Sequence, residues 1–309
     1  FKKHLYRRKS SLDARRLNRE ELMFDHEADV VIVGAGSAGC VLANRLSADP
    51  GLRVLLVEAG GRDVNPWIHI PIGYFRTMGD PTLDWCYMTE PDPGLNGRRL
   101  PWPRGKVLGG SSSLNGLLYV RGQAEDYDRW QQMGNTGWGW ENVLPYFRRA
   151  EDQERGEDDF HGAGGPLSVS NARLSRPICD AWVEAAQKAG YPFNHDFNGA
   201  TQEGVGYFQL TVRNGRRCSS AVAYVKPARK RPNLKIITRA MTTRILFEGR
   251  RAVGVAWRGS DGAEHSARAR ARVVLSAGAI GSPQILMLSG IGPADHLREH
   301  GIAPLADLP

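Results

Sequence analysis

The chain has 309 residues, 41 Lys and Arg against 33 Asp and Glu, a formal net charge of +8 and 36 glycines. That length suits one large domain or two intimately linked ones. No apolar run reaches the ~20 residues that span a bilayer, and no apolar segment follows the basic start as in a signal peptide. The charge excess does not mark a nucleic-acid binder. Residues 1–19 carry Lys2, Lys3, Arg7, Arg8, Lys9, Arg15, Arg16 and Arg19 against Asp13 alone, which leaves the remainder near neutral. A solvated basic arm over residues 1–28 is expected, of the kind that can also touch acidic lipid.

Cys40, Cys86, Cys179 and Cys218 stand at neither metal-ligand nor Cys-x-x-Cys spacing. Free thiols in a reducing, cytoplasmic compartment and no metal site are therefore expected. The glycines cluster at sharp turns between apolar runs, so the chain is not of low complexity.

Asp29-Val-Val-Ile-Val33 is short, continuous and β-branched, as buried parallel strands are. Gly34-Ala-Gly36-Ser-Ala-Gly39 follows at once, then a helix over 40–47, then a second strand, Leu52–Val57, ending at Glu58. This is a βαβ unit with Gly-x-Gly-x-x-Gly at its turn and an acid at the end of the second strand, which points to a bound dinucleotide. Gly34 permits the turn, Gly36 lets backbone reach a pyrophosphate, and Gly39 lets helix and strand pack. The helix N-terminus attracts phosphate through its free N–H groups. Glu58 can accept from both ribose hydroxyls and repels a 2′-phosphate.

Residues 60–100 read as loop, with a short strand expected at Trp85-Cys-Tyr87. The stretch Pro103-Arg-Gly-Lys-Val-Leu-Gly-Gly-Ser-Ser-Ser-Leu-Asn-Gly-Leu-Leu-Tyr-Val-Arg-Gly122 is a glycine- and serine-rich loop with a basic entrance. On its own it suggests an anion cradle. Helices are expected over 124–131, 141–150 and 178–189, and an acidic surface loop over 151–164. Residues 193–225 alternate as strands of a separate sheet do. Then come a strand at 234–238, a hairpin of 242–247 with 252–257, and a long strand ending at Ser276. Gly278-Ala-Ile-Gly281 follows, with Ser282 expected to cap a helix that has Pro283 at its first position.

Three features stand in order: the opening βαβ fingerprint, the Pro103–Gly122 loop, and the segment Gly278-Ala-Ile-Gly-Ser-Pro-Gln-Ile-Leu-Met-Leu-Ser-Gly-Ile-Gly292. Together they resemble the glucose–methanol–choline (GMC) oxidoreductase family, from about Asp29 to the end. Within it the chain is most similar to choline-dehydrogenase-like alcohol dehydrogenases. The resemblance implies an α/β fold: a Rossmann-like FAD-binding domain of the glutathione-reductase type with an α+β substrate domain. The FAD domain would take residues 29–160 and 230–309, and the substrate domain 161–229.

It also implies FAD as cofactor and oxidation of a small alcohol at its CH–OH group by hydride transfer to flavin N5. Ser37 and Ala38 would hold the pyrophosphate, with Glu58 and Ala59 on the adenosine side. Arg104, Gly105, Gly110 and Ser111 would line the flavin's path. Asn115, Gly116, Leu117 and Leu118 would present backbone to the isoalloxazine. Thr242, where the family usually has Val, would meet the adenine through its backbone. Ala277 and Gly278 would form a second close turn, with Trp85 a further candidate. Some family members bear a histidine at the Leu114 position that bonds to the flavin, so leucine there implies non-covalent FAD.

The family's catalytic base is a C-terminal histidine, as expected for removing a hydroxyl proton near neutral pH. None of the eight histidines, His4, His26, His69, His161, His195, His265, His296 and His300, lies in such a motif. The chain is thus expected to be a fragment, inactive alone. His195 is expected to be a loop residue and His69 a structural one. The same scaffold could serve as an oxidase using O₂, as a flavin-scaffold lyase or photoenzyme, or as a non-catalytic FAD-binding fragment. No feature of the chain specifies the electron acceptor or the oligomeric state.

Overall fold

The computed structural model describes residues 24–309. The cationic stretch of the N-terminal arm lies outside the described residues. The arm's expected boundary at residue 28 moves back, because strand β1 already begins at His26 (His26–Val33).

A six-stranded sheet forms the centre. It contains β1, β2 (Val54–Val57), β3 (Leu234–Ile237), β4 (Met241–Glu248), β5 (Arg251–Arg258) and β6 (Glu264–Leu275), in the order β4-β5-β6-β1-β2-β3. Neighbours from β6 to β3 run parallel, whereas β4, β5 and β6 form an antiparallel meander. Chain before residue 60 and chain after residue 230 therefore share one sheet. This is a mixed α/β architecture.

Both faces of β1 beyond Asp29 and of β2 are buried, and the period-2 alternation shows it. Val30, Ile32, Val54 and Leu56 face helix α1 (Ser37–Leu46) and the helical turn at 221–228. Val31, Val33, Leu55 and Val57 face Ile245, Val255, Trp257 and Ile285 on the other side. The β-branched run near the first glycine motif is thus a central strand with no solvent face.

Helices α2 (Ala124–Gln132), α3 (Trp140–Ala150) and α4 (Pro177–Lys188) match the expected segments, and Gly190 beyond α4 takes φ +96. Four expectations need correction. The run ending at Val225 is not strand there: Ala221–Val225 is a π-helical turn packed on α1, with Asn44 Nδ2 donating to Tyr224 O at 2.7 Å. Its small residues alternate in a strand-like way but are selected for close helix contact. At Trp85–Tyr87 only Tyr87 joins a strand (Tyr87–Met88), because Asp84 Oδ1 accepts from both Cys86 N and Arg104 N and turns the chain at Cys86, φ +52. The 151–164 stretch opens as a strand, Glu151–Gln153, with Glu151 fully buried.

Helix α5 (Gly278–Leu288) starts four residues before the expected cap, and Pro283 lies inside it. Ser282 Oγ accepts from Ala277 N at 3.1 Å, so it serves the turn before the helix rather than capping a later one. No helix among the described residues is long and apolar enough to cross a membrane.

Candidate dinucleotide site

Three loops leave the C-terminal ends of the parallel strands β1, β2 and β6, and a further loop, 104–118, packs onto the first two. The first is the β1–α1 turn. Gly36 is the N-cap of α1 in an extended conformation; no side chain caps the helix and no acid occupies its first turn. Ser37 and Ala38 are exposed there, so their N–H groups are open to an anion. Gly39 behind them admits no side chain, since a Cβ would sit 1.9 Å from Gly34 O.

The second is the end of β2. Glu58 is 6% exposed and ties two loops: Oε2 accepts from Ala35 N at 2.7 Å and Oε1 from Gly60 N at 2.8 Å. Burial raises its pKa, opposed by those N–H bonds and by Lys106. Each carboxylate oxygen keeps a second lone pair for a ligand hydroxyl. Ala59 follows, half-buried. Thr242 reaches the same corner: Ala240 N donates to Glu58 O at 2.9 Å, and the buried Thr242, second residue of β4, lies two residues on.

Glu58→Gln would turn one acceptor into a donor facing a backbone N–H. It is expected to destabilise the fold by about 1–3 kcal/mol, read as a lower denaturation midpoint with unchanged slope.

The third loop is 104–118. Gly109 N donates to Ala35 O at 2.8 Å and Leu108 N to Gly61 O at 2.9 Å, which lays this loop on the first two. Gly110, at φ +53, presses on the glycine turn so closely that a Cβ would lie 2.7 Å from Gly36 Cα. Gly105 N donates to Ser111 Oγ at 3.2 Å and joins the loop's two arms. Arg104 folds its guanidinium over Trp102, 5.2 Å from the ring centroid. Trp85 N donates to Arg104 O, and Lys106 Nζ lies 5.0 Å from the Trp85 ring centroid, so Trp85 joins the basic entrance.

Asn115, Gly116 and Leu118 are exposed, and Leu117 is buried at φ +68. Leu114 is buried against Ile68, Leu83 and Val107. The fourth loop is Ser276–Gly278. Ser276 N donates to Val33 O at 2.7 Å, which places Ala277 against Gly34.

The predicted residues thus converge from four chain segments. A cradle of uncapped helix N–H groups, a buried carboxylate and loops too close for a Cβ fits a dinucleotide carrying a pyrophosphate. Cys40, beneath it, is structural. Its Sγ donates to Ala35 O at 3.1 Å, and burial pushes its thiol up to about 12. His69 Nε2 bonds Asp63 O at 2.7 Å, and His195 rests edge-on against Phe193.

Sequence reasoning missed three buried polar groups. Asp84 fixes the Cys86 turn and Arg104. Arg217 donates to Ile68 O, Ser112 O and Asn115 Oδ1. Arg121 pairs with Glu151 at 2.6 Å with both side chains buried. For Arg217 a signal existed: Asn214-Gly215 is a type I′ hairpin turn, and alternation from it fixes which arginine turns inward.

A family profile described as GMC oxidoreductase matches residues 28–305. The mitochondrial choline dehydrogenase of Homo sapiens is 50% identical over 306 residues, 97% of this chain and 51% of that protein. The alcohol dehydrogenase [acceptor] of Pseudomonas putida is 49% identical over 283 residues, 91% of this chain and 51% of that protein. Among solved structures, pyridoxine 4-oxidase from Mesorbium loti is similar at TM-score 0.87 and 40% identity, covering 91% of this chain and 55% of that one. An FAD-dependent oxidoreductase from Chaetomium thermophilum is similar at TM-score 0.85 and 31% identity, covering 91% and 51%. The chain spans about half the length of the curated relatives it matches. A dinucleotide cradle closed by the Pro103–Gly122 loop and the Ser276–Gly278 turn, under a profile match that runs through all of it, makes this chain a member of the GMC oxidoreductase family of FAD flavoproteins.

Proposed function

We propose that residues 29–160 and 230–309 hold FAD non-covalently, and that the whole protein oxidises a small alcohol at its CH–OH carbon. The observation that carries this reading is the convergence of Gly36, Glu58, the 104–118 loop and Ala277 on one sheet edge. When bound, FAD supplies a two-electron acceptor for the alcohol's hydride. The open N–H groups of Ser37 and Ala38 hold the pyrophosphate by charge and hydrogen bonding. Glu58 takes the ribose hydroxyls with its free lone pairs, Ala59 lies beside it, and Thr242 offers backbone to the adenine.

Arg104, Gly105, Gly110 and Ser111 line the path outward, with Trp85 at its rim. Asn115 to Leu118 would form the wall against the ring, and Ala277 and Gly278 would form a second close turn against the cofactor. Leu114 supports non-covalent attachment: it is an apolar, buried side chain with no nucleophile. Residues 161–229 belong to the substrate domain in this reading.

Two relatives that are half identical to the chain are named dehydrogenases, which supports a dehydrogenase. Pyridoxine 4-oxidase shares the fold and favours O₂ as the alternative acceptor. Turnover of choline and simple alcohols by the whole protein, with an artificial electron acceptor and then with O₂ alone, separates the two. The proposal expects dye reduction to exceed O₂ consumption at least tenfold. Equal rates with O₂ alone would make the protein an oxidase, and flavin reduction by no alcohol would refute the substrate class.

A further inference from the structure

Arg217 is buried in a way that costs the fold and is not repaid by any carboxylate. The hairpin Val212–Arg213 and Arg216–Arg217 turns at Asn214 and Gly215, whose φ values of +51 and +73 fit a type I′ turn. Its register pairs Val212 with Arg217 and Arg213 with Arg216. Alternation then leaves Arg216 in solvent and sends Arg217 inward, where it is 2% exposed.

The guanidinium makes three bonds to neutral acceptors: Nε to Ile68 O at 2.8 Å, and Nη1 to Asn115 Oδ1 at 2.7 Å and Ser112 O at 3.2 Å. Nη2 is buried with no partner. Among the described residues, the other buried arginine, Arg121, has Glu151; no ion pair forms at Arg217. Desolvation lowers its pKa to about 10, which still leaves it protonated at neutral pH. An uncompensated buried cation is expensive.

Asn115 Oδ1 also accepts from Leu117 N at 3.2 Å, within the left-handed turn at Leu117. Leu117 O in turn accepts from Thr211 N at 2.9 Å, on the hairpin side. Both groups facing the Asn115 amide from within are donors. That fixes Oδ1 inward and leaves Nδ2 as the end available to a ligand. A fixed positive charge thus stands directly behind an exposed amide donor, on the wall assigned above to the flavin ring.

We propose that Arg217 is a positioning residue with an electrostatic role: it locks the Asn115–Leu117 turn and places a positive charge behind it that favours the electron-rich, reduced form of the bound ring. The proposal rests on the reading that Asn115 to Leu118 face FAD. Its physics is Coulombic, because a charge shielded from water acts more strongly on a neighbouring group than the same charge in solvent.

The test measures the flavin midpoint potential against a reference dye, together with FAD affinity, in holoprotein of wild type, Arg217→Gln and Asn115→Asp. Arg217→Gln removes the charge and is expected to shift the two-electron equilibrium at least tenfold toward oxidised flavin, a potential about 30 mV lower. Asn115→Asp guards against a glutamine variant that fails to fold, because it gives the buried cation its missing partner at an exposed position. It is expected to raise the thermal midpoint of the flavin-free protein while lowering the flavin potential. A purely structural Arg217 leaves the potential of Arg217→Gln at the wild-type value; in Asn115→Asp the new carboxylate itself faces the ring, so there only an unchanged potential is diagnostic, against the proposal. Wild-type potentials in both variants, or in Asn115→Asp when the glutamine variant does not fold, overturn this proposal alone. A wild type that takes up no FAD overturns the underlying reading and this proposal with it.

Discussion

Gly39→Ala is expected to abolish FAD retention and to destabilise the fold by about 3 kcal/mol, the upper range for overpacking. The added Cβ would lie 1.9 Å from Gly34 O and 3.0 Å from Gly34 C, both backbone atoms of the glycine turn. No side-chain rotation relieves such a contact, so α1 must move away from β1. That motion also displaces Gly36 and the open N–H groups of Ser37 and Ala38, and it presses on Gly110 across the turn. Gly116→Ala is the control for stability. Nothing lies within 4 Å of its added Cβ, and a change within about 0.5 kcal/mol is expected at such a site. Denaturant midpoints and the flavin absorbance of the purified variants check both outcomes.

Arg121→Met is expected to lose about 3–5 kcal/mol, because it leaves the Glu151 carboxylate buried without its cation. The pair is held at 2.6 Å with side chains 2% and 0% exposed. Arg121 also donates to Phe160 O, and Glu151 accepts from Gly162 N and Gln153 Nε2. The double variant Arg121→Met/Glu151→Leu should recover more than half of the loss, since no unpaired charge remains.

The pH dependence has a definite sign. Burial already holds the Glu151 carboxyl above its ordinary value of 4.5, against the opposing pull of Arg121. Without Arg121 its pKa rises further. The native state then binds a proton that the unfolded state does not, between the folded value and 4.5, so stability falls as pH rises through that window. Lowering the pH from 7 toward 5 should therefore stabilise Arg121→Met more than it does the wild type.

The elements that position the cradle were legible because local pattern and tertiary role agree there. A continuous β-branched run, Gly-x-Gly-x-x-Gly and an acid at the next strand's end have one compact arrangement, and Glu58 lies where that arrangement puts it. The hairpin around Gly249 was legible for the same reason. Legibility failed where tertiary contact overrode the local signal. Residues 221–225 alternate like a strand, yet their small side chains serve packing against α1. Pro283 marks a first helical turn by preference, yet α5 begins at Gly278 because the Ala277 turn is held by Ser282. Arg121, Glu151 and Arg217 carry no local signature of burial: each is paired with a group 30 to 149 residues away in the chain. For Arg217 the Asn214-Gly215 turn is a nearby cue that the sequence reading did not use.

The most direct measurement titrates flavin-free protein with FAD, following flavin fluorescence and absorbance, with NAD⁺ as competitor and acid precipitation at the end point. The cradle described here predicts saturable uptake of one FAD per chain, no displacement by excess NAD⁺, and all flavin in the acid supernatant. Absence of FAD uptake, or its displacement by NAD⁺, would contradict the site, and yellow flavin in the precipitated pellet would contradict non-covalent attachment.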